Sequence, residues 1–206
     1  MNPAAAPALD PAVRRSARIQ MWLVLVVCAA PVIAAFGAYF FDALRPAAYS
    51  NYGTLIEPQM AVPPLALTTL DGRPFDLRGL RGKWVMLQVD GGACGPPCVD
   101  KLYAMRQVRA STGKDRDRVE RVWLVSDDAP VSADLARAYE GMHVLRVDPA
   151  RLTLVLPLDE RPGSRLSDTI WVVDPLGNLM LRFPRQADPK GIRRDIGKLL
   201  YASRIG

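Results

Sequence analysis

The stretch WVMLQVDGGACGPPCVDKLYAMRQV, residues 84–108, decides the fold. It opens on a short apolar run, Trp84–Val89, that has the length of a buried strand. A loop carrying Cys94-Gly95-Pro96-Pro97-Cys98 follows. A helical pattern then begins, in which Val99, Leu102, Met105 and Val108 recur at three- and four-residue steps. A strand leading into a cysteine-bearing loop and then a helix is the arrangement of thioredoxin-type redox sites.

Downstream, Val119–Val125 reads as a second buried strand, closed by Ser126, Asp127, Asp128 and Pro130. Ser132 is placed to cap a helix running through Glu140 and stopped by Gly141. Val144–Val147 reads as a third strand, and Pro149–Ser167 shows only a Leu-rich stretch near Leu152–Leu156. Thr169–Val173 and Leu179–Phe183 form a hairpin pattern around Pro175, Gly177 and Asn178. An amphipathic helix from about Pro189 to Ala202 carries Ile192, Ile196 and Leu199 on one face. Upstream, LALTTLDGRPFDLRGLRGKW holds a second hairpin signal at Asp71-Gly72. Strands alternating with helices predict an α/β fold, a thioredoxin-like sheet flanked by helices.

One N-terminal transmembrane helix is expected before that domain. No charged residue occurs from Ile19 to Phe41, a length suited to a hydrocarbon core of roughly 30 Å. Pro31 is tolerated in such a helix, and Trp22 at one end with Tyr39, Phe40 and Phe41 at the other suits the two interfaces. Arg14, Arg15 and Arg18 precede the run, so the positive-inside rule puts the N-terminus in the cytoplasm and the later domain on the periplasmic side. A cleaved signal would have an apolar core of about 7–15 residues and a small-residue cleavage site, and neither matches. The resulting division is a tail at 1–18, the membrane helix at 19–41, a Pro-rich linker at 42–63 and the thioredoxin-like domain at 64–206.

Composition narrows the chemistry. Three cysteines are too few for a disulfide-built scaffold, and Cys28 lies in the membrane run, where packing is its expected role. The single histidine, His143, leaves no set for a His-rich metal site or a Ser/His triad. The net charge of +6 suits acidic partners, but no nucleic-acid-binding module accompanies it. Basic residues cluster late, from Arg182 and Arg185 through Lys190, Arg193, Arg194 and Lys198, as a solvated face or a contact for acidic headgroups or an acidic protein.

The Cys94–Cys98 pair is therefore the expected working site. A thiol reacts as its thiolate, and the start of a helix favours a negative sulfur through unpaired N–H groups and the helix dipole. The pair can close a disulfide or hold a soft cation, of which Cu(I) is the candidate. A fixed structural disulfide is the plain alternative, although so small a loop contributes little stability.

With these residues in place, the region from about Leu65 to Tyr201 resembles the Sco/SenC family of cytochrome c oxidase assembly proteins. The resemblance rests on LALTTLDGRPFDLRGLRGKWVMLQV, the C-x3-C pair, VWLVSDDAPVSADLARAYE and TIWVVDPLGNLMLRF. It implies a thioredoxin fold, copper as the cofactor, and the copper-site subunit of a cytochrome c oxidase, or another thiol protein, as the partner. It also implies a histidine completing a Cys2His site before the last hairpin. Counting back from Asp174, Leu166, Ser167 and Asp168 stand there instead, and His143 lies in another segment. Met86, Met105, Met142 and Met180 carry thioethers, yet each fits core packing.

Three functions stay open. In an assembly factor, Cys94 attacks a partner disulfide and Cys98 resolves the mixed disulfide. A general membrane-tethered thiol–disulfide oxidoreductase would more usually show an x2 spacing and a proline beside the site, for which Pro162 is a remote candidate. A non-catalytic scaffold would keep the cysteines as a fixed bond. A peroxidase would need a P-x3-T-x2-C pattern, which is absent before Cys94.

Overall fold

The computed structural model describes residues 11–40, 51–158, 161–203 and 205, and the chain divides into two compact units, Met1–Ser50 and Asn51–Gly206. In the first, helix α1 spans Pro11–Phe40 with Pro31 inside it. Its stretch Arg15–Gly37 is long and apolar enough to cross a membrane, with a mean hydropathy of 2.3. Cys28 is exposed on this helix, the orientation of a residue that would meet lipid. Phe41 and the first half of the expected linker lie outside the described residues.

The second unit is built on one eight-stranded sheet. The strands are β1 (Thr54–Ala61), β2 (Leu67–Thr69), β3 (Pro74–Phe75), β4 (Trp84–Asp90), β5 (Val119–Val125), β6 (His143–Val147), β7 (Ile170–Val173) and β8 (Asn178–Phe183), in the spatial order β1-β8-β7-β4-β5-β6-β2-β3. β4, β5 and β6 are parallel, with Asp90 level with Val125 and Val122 level with His143. β7 runs antiparallel to β4, and β8 to β7. β4 and β5 are covered on both faces, which is why they read as unbroken apolar runs. β8 alternates half-buried and buried residues along its length.

Helices α2 (Pro96–Ser111), α3 (Ala133–Ala138) and α5 (Pro189–Ala202) surround one face; α4 (Pro149–Leu152) is a single turn. α2 buries Cys98, Leu102, Met105 and Val108, a stripe at helical spacing, while Val99 is only half-buried. α5 starts at Pro189 behind Asp188, whose carboxylate accepts the Lys190 N–H. It buries Ile192, Ile196 and Leu200, leaving Leu199 half-buried, so the apolar stripe is one residue displaced from the expected one. The three apolar clusters found among the described residues lie within Asn51–Gly206, so this unit carries its own core.

The linker expected at 42–63 needs correction. Its residues Thr54–Ala61 form β1, an edge strand paired with β8. Pro58 sits within it, which an edge strand tolerates because one row of its backbone groups needs no partner. The lead-in is also fixed to α5. Tyr52 and Gly53 N–H both donate to the buried Asp195 carboxylate at 2.6 and 2.8 Å. The Tyr52 ring lies over Gly191, where a Cβ would come within 2.4 Å of it.

Candidate functional site

The site forms where β4 and β5 end together. After Asp90 the chain turns through Gly91 and Gly92 into Cys94, and Gly95 begins α2. These glycines answer to close approach rather than to turning alone. A Cβ on Gly92 would stand 2.1 Å from the Ala129 carbonyl oxygen, and one on Gly91 would stand 2.3 Å from the Asp127 carboxylate. Asp127 fastens the contact by accepting the Gly92 N–H at 2.7 Å and the Ala129 N–H at 3.2 Å. The loop after β4 is thus laid against the loop after β5.

Cys94 and Cys98 are joined as a disulfide with a Cα separation of 5.1 Å, within the usual range. Cys94 sits in the left-handed region at φ 40°, a conformation that costs a non-glycine residue about 1–2 kcal/mol. Pro96 is the first helical residue and Cys98 the third, so Cys98 lies in the turn whose N–H groups lack helical acceptors. Both cysteines are buried, Cys94 at 8% exposure and Cys98 at 2%. They pack with Leu102, Trp123, Val125 and Tyr139.

One polar side chain meets Cys98, and an ion pair lies beyond it. Gln88 of β4 is fully buried and its Nε2 donates to Cys98 Sγ at 3.6 Å, while its Oε1 has no partner. Beyond it, Lys101 on α2 pairs with Asp90 at 2.9 Å and also donates to the carbonyls of Val89 and Ser167. Burial lowers the Lys101 pKa below the ordinary lysine value, and hydrogen bonding and charge from Asp90, then Asp168, oppose that shift.

A cavity of about 490 Å³ opens beside Cys98, walled by Asp90, Pro97, Arg165, Ser167, Asp168 and Arg185. Arg185 Nε lies 3.4 Å from Asp168 Oδ1, and the Arg165 N–H donates to Asp168 Oδ2 at 3.2 Å. The 3-10 turn Leu166–Asp168 builds this wall. Ser167 and Asp168 face the cavity, whereas Leu166 packs into the apolar cluster on the other face of the sheet.

The structure separates the remaining candidates from the pair. His143 starts β6, level with Val122 and three residues below the Val125 end of β5, or about 10 Å along the strand. Its contacts are Glu120 at 3.8 Å and the Phe75 ring at 5.2 Å. Met86 and Met105 are core residues and Met180 packs against the same cluster; Met142 packs against the cluster that contains the cysteines. Pro162 lines a neighbouring recess with Arg161 and Thr169 that does not include the cysteines.

Among the described residues no three His, Cys, Asp or Glu side chains are grouped to hold a metal ion. Around the sulfurs stand a neutral amide and carboxylate oxygens, which are not soft donors, so the residues do not fit a Cys2His copper centre. Reading from the sequence missed Gln88, Asp90, Lys101 and Asp127. Only Gln88 left a signal, as the one amide inside an apolar run.

Comparison with known proteins agrees with this fold. Sco1 of Thermus thermophilus, solved without metal, shares 22% identity over 76% of this chain and 99% of its own, with a TM-score of 0.56. Copper-bound ScoI of Arabidopsis thaliana shares 17% over 70% of this chain and 100% of its own, at 0.54. A thiol:disulfide interchange protein of the thioredoxin family from Chlorobium tepidum shares 19% over 70% of this chain and 98% of its own, at 0.52. At these identities the fold is what is shared. No curated protein matches the sequence. A family model described as the transmembrane-like, thioredoxin-like C-terminal domain matches residues 84–203, more than half of the chain. The chain belongs to this transmembrane-like, thioredoxin-like family.

Proposed function

We propose that the chain is a membrane-anchored thiol–disulfide assembly factor working outside the cytoplasm, with Cys94 and Cys98 as its reacting groups. The observation that carries the reading is the Cys94–Cys98 disulfide at the start of α2, with one sulfur held by a buried amide beside an open cavity. Arg14, Arg15 and Arg18 before the apolar run support a cytoplasmic N-terminus, with residues 51–206 on the far side.

In the reducing direction Cys94 thiolate attacks one sulfur of a target disulfide, and the other target sulfur leaves as a thiolate. Cys98 then attacks the Cys94 sulfur of the mixed disulfide. The second target thiolate departs, and the Cys94–Cys98 bond forms. Two electrons pass to the target, and a dithiol donor restores the pair for the next cycle. Cys94 is the attacking residue because it is the more exposed of the two, while Cys98 is held by Gln88.

The target is the copper-site subunit of a cytochrome c oxidase, whose cysteines must be reduced before they can take metal. Support for this partner is the sequence resemblance to oxidase assembly proteins and the fold shared with Sco structures. A second reading, transient handling of Cu(I) as cargo, draws on the copper-bound relatives and on the two soft sulfurs of the reduced pair.

The reduced full chain in detergent is mixed with an oxidised peptide carrying a copper-site cysteine pair, and separately with an unrelated disulfide. Preferential reduction of the first is expected, and Cys98→Ser should accumulate the mixed disulfide through Cys94. Equal reduction of both would favour a general oxidoreductase. No reduction, with function retained when both cysteines are serine, would leave a scaffold. Cu(I) competition titration checks the second reading. Ser167→His is the informative gain-of-ligand variant, because Ser167 faces the cavity and Leu166 does not.

A further inference from the structure

α5 has two faces with different tasks. Ile192, Asp195, Ile196 and Leu200 turn inward, and Asp195 holds the Tyr52–Gly53 backbone where the chain arrives from α1. The outward face carries Lys190, Arg193 and Arg194 at one-turn spacing, and it ends at Tyr201, whose exposure reaches 94%. Lys114, beyond the end of α2, joins them around an open depression of about 660 Å³.

This face is not balanced from within the fold. The one acid lining the depression, Asp115, already pairs with Arg118 at 3.1 Å. Lys114, Lys190, Arg193 and Arg194 form no ion pair among the described residues. Basic residues elsewhere commonly do, as in Arg73–Asp71, Arg78–Asp76, Lys101–Asp90 and Arg137–Asp134. A cationic surface ending in an exposed tyrosine has the make-up of a membrane-surface contact, where an aromatic ring sits at headgroup level.

We propose that the outward face of α5 docks on an anionic lipid surface. The helix that receives the tether on its inner side is the one that carries the charge on its outer side. Residues 41–50 separate α1 from the start of this unit and span at most about 40 Å, whatever their conformation. The bilayer entered by α1 is therefore always at high local concentration for this face. Docking there would confine the disulfide to targets held at the same membrane surface. The inference rests on α1 spanning a membrane and is independent of the cysteine chemistry.

The test uses residues 51–206, which carry their own core, so a failure here is distinct from a failure of thiol exchange. Sedimentation is measured with vesicles of phosphatidylcholine alone and of phosphatidylcholine mixed with phosphatidylglycerol. Binding is expected only to the mixed vesicles and should fade with added salt, because the contact is electrostatic. Lys190→Glu/Arg193→Glu/Arg194→Glu should weaken it at least about tenfold, with circular dichroism and disulfide reduction unchanged. The neutral set Lys190→Gln/Arg193→Gln/Arg194→Gln gives the same reading should charge reversal impair folding. Equal binding by the variants would overturn the proposal, as would failure of the parent to bind mixed vesicles. Tighter capture by polyglutamate than by the vesicles would also overturn it, in favour of an acidic protein partner.

Discussion

The two faces of the sheet come from the same strands and hold very different contents. On one, Val85, Leu87, Val89, Val122, Leu124 and Trp171 pack with Leu152 and Leu156, and the Trp171 indole brings the polar atom. On the other, Trp84 and Met86 alternate along β4 with Gln88 and Asp90, while β5 contributes Arg121 beside Trp123. Because side chains alternate across a strand, a step of one residue moves from core to chemistry. The apolar face can be optimised for packing alone. Both faces bury indole nitrogens without partners, on Trp171 of the first and on Trp84 and Trp123 of the second, but the second adds unpartnered polar atoms on Gln88 and Arg121, of which Gln88 reaches the disulfide.

That contrast can be broken most forcefully from the apolar side. Trp171→Ala should cost about 3–5 kcal/mol of stability by urea unfolding, while the thiol–disulfide equilibrium with glutathione stays unchanged. A shifted equilibrium would show that the two faces are coupled.

Next in size is Asp90→Asn, which leaves the Lys101 ammonium buried without its partner and should cost about 3 kcal/mol. Lys101 has its pKa lowered by burial, so the folded chain binds fewer protons than the unfolded chain between the folded value and the ordinary lysine value of 10.5. Stability from this group therefore rises with pH through that window, and in Asp90→Asn the rise should begin at lower pH. Urea midpoints measured across alkaline pH check both the sign and the displacement.

Arg121→Met should go the other way. The Arg121 Nη2 donates to the Glu140 carbonyl at 3.1 Å, but Nε and Nη1 are buried without partners. Replacing such a charge with a well-packed apolar chain should stabilise by about 1–2 kcal/mol. Thermal unfolding reads it, and a loss instead would show that the guanidinium is compensated in solution.

The smallest stability effect is expected for Gln88→Leu, about 1 kcal/mol or less, because the loss of one bond is offset by removing an orphan oxygen. Its signature is chemical: without the Nε2 donor the reduced Cys98 should titrate at higher pH, followed by thiolate absorbance. An unmoved titration would reduce Gln88 to a packing residue.

Most of this architecture was legible where an element's whole pattern lies in one stretch of chain. β4, β5 and α5 show their periods locally, and the hairpin at Asp71-Gly72 announces its own turn. β1 was hidden because it is mostly exposed, holds Pro58 and exists only by pairing with β8. The cysteines were legible as a pair, but their surroundings were not. Asp90 and Lys101 meet only once a strand end and a helix face are placed together, and Asp127 reaches Gly92 across two loops. Counting back from Asp174 brought Leu166, Ser167 and Asp168 to the place where the resemblance implies a histidine, Leu166 first among them. The 3-10 turn rotates it into the core and offers Ser167 and Asp168 in its place.

The glycines around the disulfide also set the terms on which its reactivity can be redesigned. Gly92 is closed to a side chain by the Ala129 carbonyl, and one at Gly91 would have to displace the Asp127 carboxylate that fastens the two loops, so tuning from the approach to Cys94 disturbs the loops themselves. Gly95 is different: its φ is −65° and nothing stands within 4 Å of the position a Cβ would take. A side chain grafted there would stand on the loop between the two cysteines without disturbing the backbone. In this scaffold Gly95 is an adjustable position, at which a cation or an imidazole could retune the dithiol while the surrounding walls stay fixed.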